Sequence, residues 1–81
     1  MEQIIHIGLY HHYKGQLYEV LGVGKHADTH EDIVVYRGLY KSVEFGCNPL
    51  WVRPKKDFLD DIVVEGIAMP RFLFVGGKFV K

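Results

Sequence analysis

The feature that most limits the fold of this chain is its punctuation. Short runs of β-branched and aromatic residues are interrupted every few positions by glycine, proline or polar clusters. No window keeps a helical apolar period over three turns. Gly8 to Tyr13 reads as a first strand, ended by the turn signal Lys14-Gly15. Leu17 to Lys25 reads as a long second strand in which Gly22 and Gly24 permit a bulge or sharp bend. After the polar connection Ala27 to Asp32 comes the clearest strand, Ile33 to Tyr40.

The second half is more broken. Lys41 to Leu50 reads as a loop. Trp51-Val52-Arg53 is a short strand halted by Pro54, which has no N–H for a ladder. Lys55 to Leu59 suits a single helical or 3₁₀ turn presenting Phe58. Ile62 onward predicts a hairpin about Glu65-Gly66, and Arg71 to Val75 a last strand. Five or six short strands bent at glycines, in 81 residues, predict an all-β chain folded as one small barrel closed on itself. We expect a single domain over residues 1–81, with the barrel at about 8–75 and a tail at 76–81. Phe79 and Val80 are candidates to dock that tail. At this length folding hides only about 63% of the surface of the unfolded chain, which leaves no room for a deep enclosed active site.

Composition narrows the function classes. Ten Lys and Arg balance ten Asp and Glu, so the basic excess of a phosphate-backbone binder is absent. All five histidines (His6, His11, His12, His26 and His30) lie in the first 30 residues, so charge responds to pH near 6. Cys47 is the single cysteine, which excludes an intrachain disulfide and a cysteine-based zinc cluster. With no signal-peptide pattern and no apolar run of membrane length, the expected location is the cytoplasm, with no membrane partner.

Each further candidate site has a plainer reading. Gly22-x-Gly24-x-x-Ala27 has the outline of a dinucleotide fingerprint, but a polar loop and a strand follow where a helix is needed. His26 and His30 are spaced for one helix face, yet sit in a loop, and adjacent His11 and His12 point to opposite faces of a strand. Cys47 has no orienting partner at recognisable spacing, and Asp28, Glu31 and Asp32 read as a solvated loop. We therefore expect no catalytic residue, no metal and no cofactor. Lys55-Lys56, the basic run after Arg53-Pro54, reads as a solvated corner or a phosphate contact beside Trp51.

The remaining group is aromatic and cationic: Tyr13, Tyr18, Tyr36, Tyr40, Trp51, Arg37, Arg53 and His26. Rings with polar tips beside guanidinium groups suit flat ligands, anions, peptides or unstacked bases. Alternation puts Trp51 and Arg53 on one face of their strand and Val52 on the other. If Val52 is core, Trp51 and Arg53 stand outside. Tyr36 and Tyr40 share a face opposite Arg37, so one cluster of them all requires a bend, with Gly38 the candidate. The plainer reading makes the tyrosines packing and pairs the arginines with Asp28, Glu31 or Asp57. Apolar residues on both parities of the long strands leave the inward face undetermined.

The ordered series His12-Tyr13-Lys14-Gly15 with Tyr18, His26 and Thr29, Val34-Val35-Tyr36-Arg37 with Leu39-Tyr40, Trp51-Val52-Arg53-Pro54 with Phe58, and Pro70-Arg71-Phe72 resembles the bacterial domain-of-unknown-function family 1653. The resemblance spans about Gly8 to Val75. It implies an SH3-like β-barrel and no established activity. Two departures from the family pattern stand out. Its usual His-Ser-Glu-Thr reads His26-Ala27-Asp28-Thr29 here, and the loop Lys41 to Leu50 is longer.

The leading expectation is a non-enzymatic binding module that recognises a peptide or nucleotide-like ligand on a shallow face. Tyr36, Tyr40, Trp51 and Arg53 form that face, with Tyr13, His26 and Arg37 at its rim. Its partner would be a protein or a small anionic ligand, and less readily single-stranded RNA. The alternatives are a small metal-dependent hydrolase using His26, with Asp28 or Cys47, and a structural homo-oligomerisation domain.

Overall fold

A computed structural model describes residues 4–76. The elements in chain order are β1 (Gly8–His12), β2 (Leu17–Lys25), β3 (Asp32–Gly38), β4 (Lys41–Ser42), β5 (Gly46–Cys47), β6 (Leu50–Pro54), α1 (Lys55–Phe58), β7 (Asp61–Val64), β8 (Ile67–Pro70) and β9 (Phe72–Gly76). Five of them build one antiparallel sheet in the order β6-β3-β2-β1-β9, while β4-β5 and β7-β8 are separate two-stranded ribbons. The chain is thus all-β with one short helix, as its punctuation predicts. The ladder of β2 and β3 slips between Val20 and Gly22, leaving Leu21 as the extra residue of a bulge next to the first of the two strand glycines.

Side-chain parity decides what the sheet encloses. Tyr10, Tyr18, Val20, Val34, Tyr36, Phe58 and Phe72 form the buried core, with Ile5, Tyr40 and Trp51 packed against it. In β1 to β3 these residues occupy alternate positions that register brings opposite one another: Tyr10 on Tyr18, Val20 on Tyr36. On β6, Trp51 lies opposite core Tyr36, so the inward face is that of Trp51 and Arg53. Val52 points out and is 68% exposed. The branch in which Val52 fills the core is therefore excluded.

The sheet is strongly curled. β3 and β9 are separated by two strands, which in a flat sheet would put them about 14 Å apart. Yet the rings of Tyr36 and Phe72 lie 5.5 Å apart. The edge strands β6 and β9 face each other as well, with the Arg53 guanidinium 5.9 Å from the centroid of Phe72. Phe58 plugs the enclosed space. One helical turn after Pro54 aims it inward, where it stacks on Phe72 at 4.2 Å and meets Tyr10 and Tyr36 edge-on.

Several boundaries differ from expectation. β3 stops at Gly38, two residues early, because the chain turns there and Tyr40 folds back over it. Lys41 to Leu50 is not a plain loop. From Lys41 to Cys47 it is the β4-β5 ribbon, closed by Ser42 Oγ, which accepts from the backbone N–H groups of Glu44 and Phe45. The Glu65-Gly66 turn has both residues at positive φ (51° and 81°), the hairpin geometry that matches the twist of β7 and β8. β9 runs through Gly76, which pairs with Leu9. The suggested docking of Phe79 and Val80 lies outside the described residues.

Candidate binding site

The site grows from Gly38. This glycine is buried, and a Cβ there would run into the Tyr40 ring, 2.5 Å from its Cζ. The missing side chain lets Tyr40 lie over the end of β3 and turn its hydroxyl towards β6. There Trp51 Nε1 donates to Tyr40 Oη at 3.1 Å. Tyr40 and Tyr18 hydroxyls are 3.4 Å apart, and Tyr18 donates to Gln16 Oε1 at 3.2 Å. With the Tyr18 proton directed to Gln16, Tyr40 donates to Tyr18, and one chain of donors runs from Trp51 through both tyrosines to Gln16. Burial and the Tyr40 hydrogen bond push the Tyr18 hydroxyl well above its ordinary pKa of 10, so it stays a donor. Phe45, from the β4-β5 ribbon, meets Trp51 edge-on at 5.1 Å and covers this end of the site.

Next to that chain stands the cationic part. Arg53 Nε donates to Tyr36 Oη at 3.2 Å while its guanidinium lies over Phe72. No carboxylate of the described residues pairs with it. His12, at the end of β1, packs edge-on against Phe72 and Tyr18 and tilts onto Tyr13. Arg71 sits in the link between β8 and β9. Its backbone is fixed on both sides, the N–H donating to Asp60 and the carbonyl accepting from Tyr13. Its Nε is buried and has no hydrogen-bond partner among the described residues. Desolvation depresses the pKa of His12, and the charges of Lys14, Arg53, Arg71 and His11 lower it further. Both arginines thus act on one imidazole. On the other side of His12, a shallow cavity of about 260 Å³ is lined by His11, His12, Tyr13, Met69, Pro70 and Leu73.

The structure brings Tyr36, Tyr40, Trp51 and Arg53 together, with Tyr13 reached through His12, but Tyr36 is core packing at 4% exposure: it holds Arg53 by its hydroxyl and offers no ring to a ligand. The other two rim residues are elsewhere. Arg37 points to the outer face, where its Nε donates to Glu19 Oε1 at 2.9 Å. Its partner is therefore none of Asp28, Glu31 or Asp57. His26 is exposed at the β2-β3 turn and spends its Nδ1 on the N–H groups of Asp28 and Thr29. In that same turn Lys25 pairs with Asp32 at 2.6 Å and holds its carboxyl below the usual range. Cys47 is exposed in β5. Among the described residues no three His, Cys, Asp or Glu side chains gather in a way that could hold a metal ion.

Three contributors escape the sequence reading: His12, Phe45 and Arg71. The signal for Arg71 lay in its place between Pro70 and Phe72, but nothing local says that β9 curls round to meet β6.

Residues 8–74 match the family described as a protein of unknown function, DUF1653. The chain belongs to this family. The crystal structure of a DUF1653 protein from Bordetella bronchiseptica superposes with a TM-score of 0.83 at 30% identity, covering 100% of both chains. A comparison with curated proteins gives no match. The family carries no assigned activity, so any function rests on the site itself. No helix in the described residues is long and apolar enough to cross a membrane.

Proposed function

We propose that this DUF1653 domain is a non-enzymatic binding module whose inward aromatic and arginine face takes a small anionic ligand, nucleotide-like or a peptide segment. The observation that carries this reading is Arg53. It lies over the Phe72 ring, steered by a single hydrogen bond to Tyr36, and no carboxylate pairs with it among the described residues. A guanidinium kept only for packing would normally find an acidic partner in a chain with ten of them. Tyr40 and Trp51 beside it supply stacking area, and their shared hydrogen bonds hold the rings at fixed angles before any ligand arrives.

A thermal-shift screen over nucleotides and short peptides tests this directly. A stabilising ligand should emerge, and its effect should vanish in Arg53→Gln. A shift that persists in Arg53→Gln places the ligand elsewhere and removes the reading. A second reading, self-association, is favoured by a different face: Leu50 and Val52, 64% and 68% exposed, lie side by side on the outside of β6. If that face joins two copies, Val52→Lys should abolish a concentration-dependent mass in light scattering.

A further inference from the structure

The buried Nε of Arg71 has no account in the fold. It is buried in the β8-β9 link without a partner among the described residues, although an unsatisfied buried donor is costly and ordinarily avoided. Arg53 approaches the same ring, Phe72, and His12 packs on it from a third strand. Arg53 and His12 thus meet on one ring, and Arg71, the residue just before Phe72, is held beside Tyr13 by its carbonyl; none of the described carboxylates pairs with either arginine.

Building on the proposed binding face, we infer that Arg53, Arg71 and His12 form an oxyanion site that takes the phosphate of a small phosphate monoester. The charge decides between oxyanions. A carboxylate neutralises one of the two arginines and leaves the other uncompensated, whereas a phosphate dianion neutralises both and has oxygens for the forks and the imidazole. His12 Nδ1 accepts from the backbone N–H of Lys14 at 3.2 Å, so the neutral ring carries its proton on Nε2 and has a donor to offer.

Binding of a dianion must also change the titration of His12. The groups facing this imidazole are Lys14, Arg53, Arg71 and His11, all cationic when charged, with the rings of Tyr13, Tyr18 and Phe72. Inserting negative charge among them favours the protonated ring, so phosphate should raise the pKa of His12 and be taken up with a proton.

The test is an NMR titration of the His12 ring in the full chain, with inorganic phosphate, adenosine 5′-monophosphate and acetate as probes at equal ionic strength. The expected result is a saturable shift of the His12 signals with both phosphates and an upward move of its pKa. Arg71→Gln and Arg53→Gln should each weaken that response by about tenfold or more. The Arg71 variant should melt no lower than the parent, because its Nε has no bond to lose. An Arg71→Gln protein that unfolds would show a packing role and overturn the inference, and so would unaltered phosphate binding in that variant. Should acetate bind as tightly as phosphate, with dependence on Arg53 alone, the phosphate assignment fails while the anionic face stands. Silence of His12 and of Trp51 fluorescence towards every probe ends both.

Discussion

Gly38 is the position where a single methyl group should dismantle the site without touching the ligand-facing atoms. It is not in the left-handed region, so alanine fits the backbone. The obstacle is Tyr40, whose Cζ and Cδ2 would lie 2.5 and 2.9 Å from the new Cβ. In Gly38→Ala the ring must swing away. It then loses the hydrogen bond from Trp51, the one with Tyr18, and an edge contact with Tyr18 at 5.6 Å and 89°. Each of these is worth about 0.5–1.5 kcal/mol. Alanine returns about 0.4–1 kcal/mol by restricting the unfolded chain. The net expectation is a loss of about 1–4 kcal/mol, set against a total of about 4–12 kcal/mol for a chain of this length. Urea unfolding measures it, and native-state fluorescence reports the cause, because Trp51 is the sole tryptophan and its indole N–H would lose its partner. The control is the same change in a Tyr40→Ala background, where it should be neutral or stabilising by up to about 1 kcal/mol. An equal cost in both backgrounds would refute the reasoning, since the methyl group would then be clashing with something other than Tyr40.

Phe58→Ala should be the most damaging single truncation. The residue is 1% exposed and stacked between elements that the curled sheet cannot otherwise join, so about 3–5 kcal/mol should be lost on chemical denaturation. His12 makes stability depend on acid. Its pKa is lowered on folding, so below the ordinary value of 6.5 the unfolded chain binds more protons and stability falls with falling pH. His12→Gln should flatten that decline in a series of melting curves. Binding should be impaired more by Trp51→Phe, which deletes the indole N–H given to Tyr40, than by Lys55→Ala or Lys56→Ala, as read by calorimetry with any ligand the screen finds. Were single-stranded RNA the ligand instead, affinity would fall steeply between about 50 and 200 mM salt and depend on those lysines.

The parts of the fold that could be read from the residues are those fixed by neighbours in sequence. Leu17–Lys25 is a strand because its β-branched and aromatic content outweighs two glycines, and Glu65-Gly66 is a turn because little else fits two adjacent positive φ values. Gly38 was legible as a bend, but for another purpose: the bend was needed to bring Arg37 to Tyr36 and Tyr40, whereas the chain turns there to lay Tyr40 over the end of β3 and leaves Arg37 with Glu19. What could not be read was set by contacts between strands far apart in the chain. Leu17 to Val23 and Ile33 to Tyr40 carry apolar groups on both parities, so neither announces its inner face. That choice came from the curl, which turns Tyr36 and Trp51 inward and leaves Leu50 and Val52 wet. Arg37 and Arg53 look alike in sequence, each one residue after a member of the aromatic set or two. Register separates them: Arg37 meets Glu19 across the outer face, and Arg53 meets Tyr36 across the inner one. Phe72 meets Arg53 only because β9 comes round opposite β6, a closure made by Phe58 and Phe72 and encoded in no local pattern. The cationic centre is therefore a property of the curl. Loosening the core at Phe58 should scatter Arg53, Arg71 and His12 even where each strand survives.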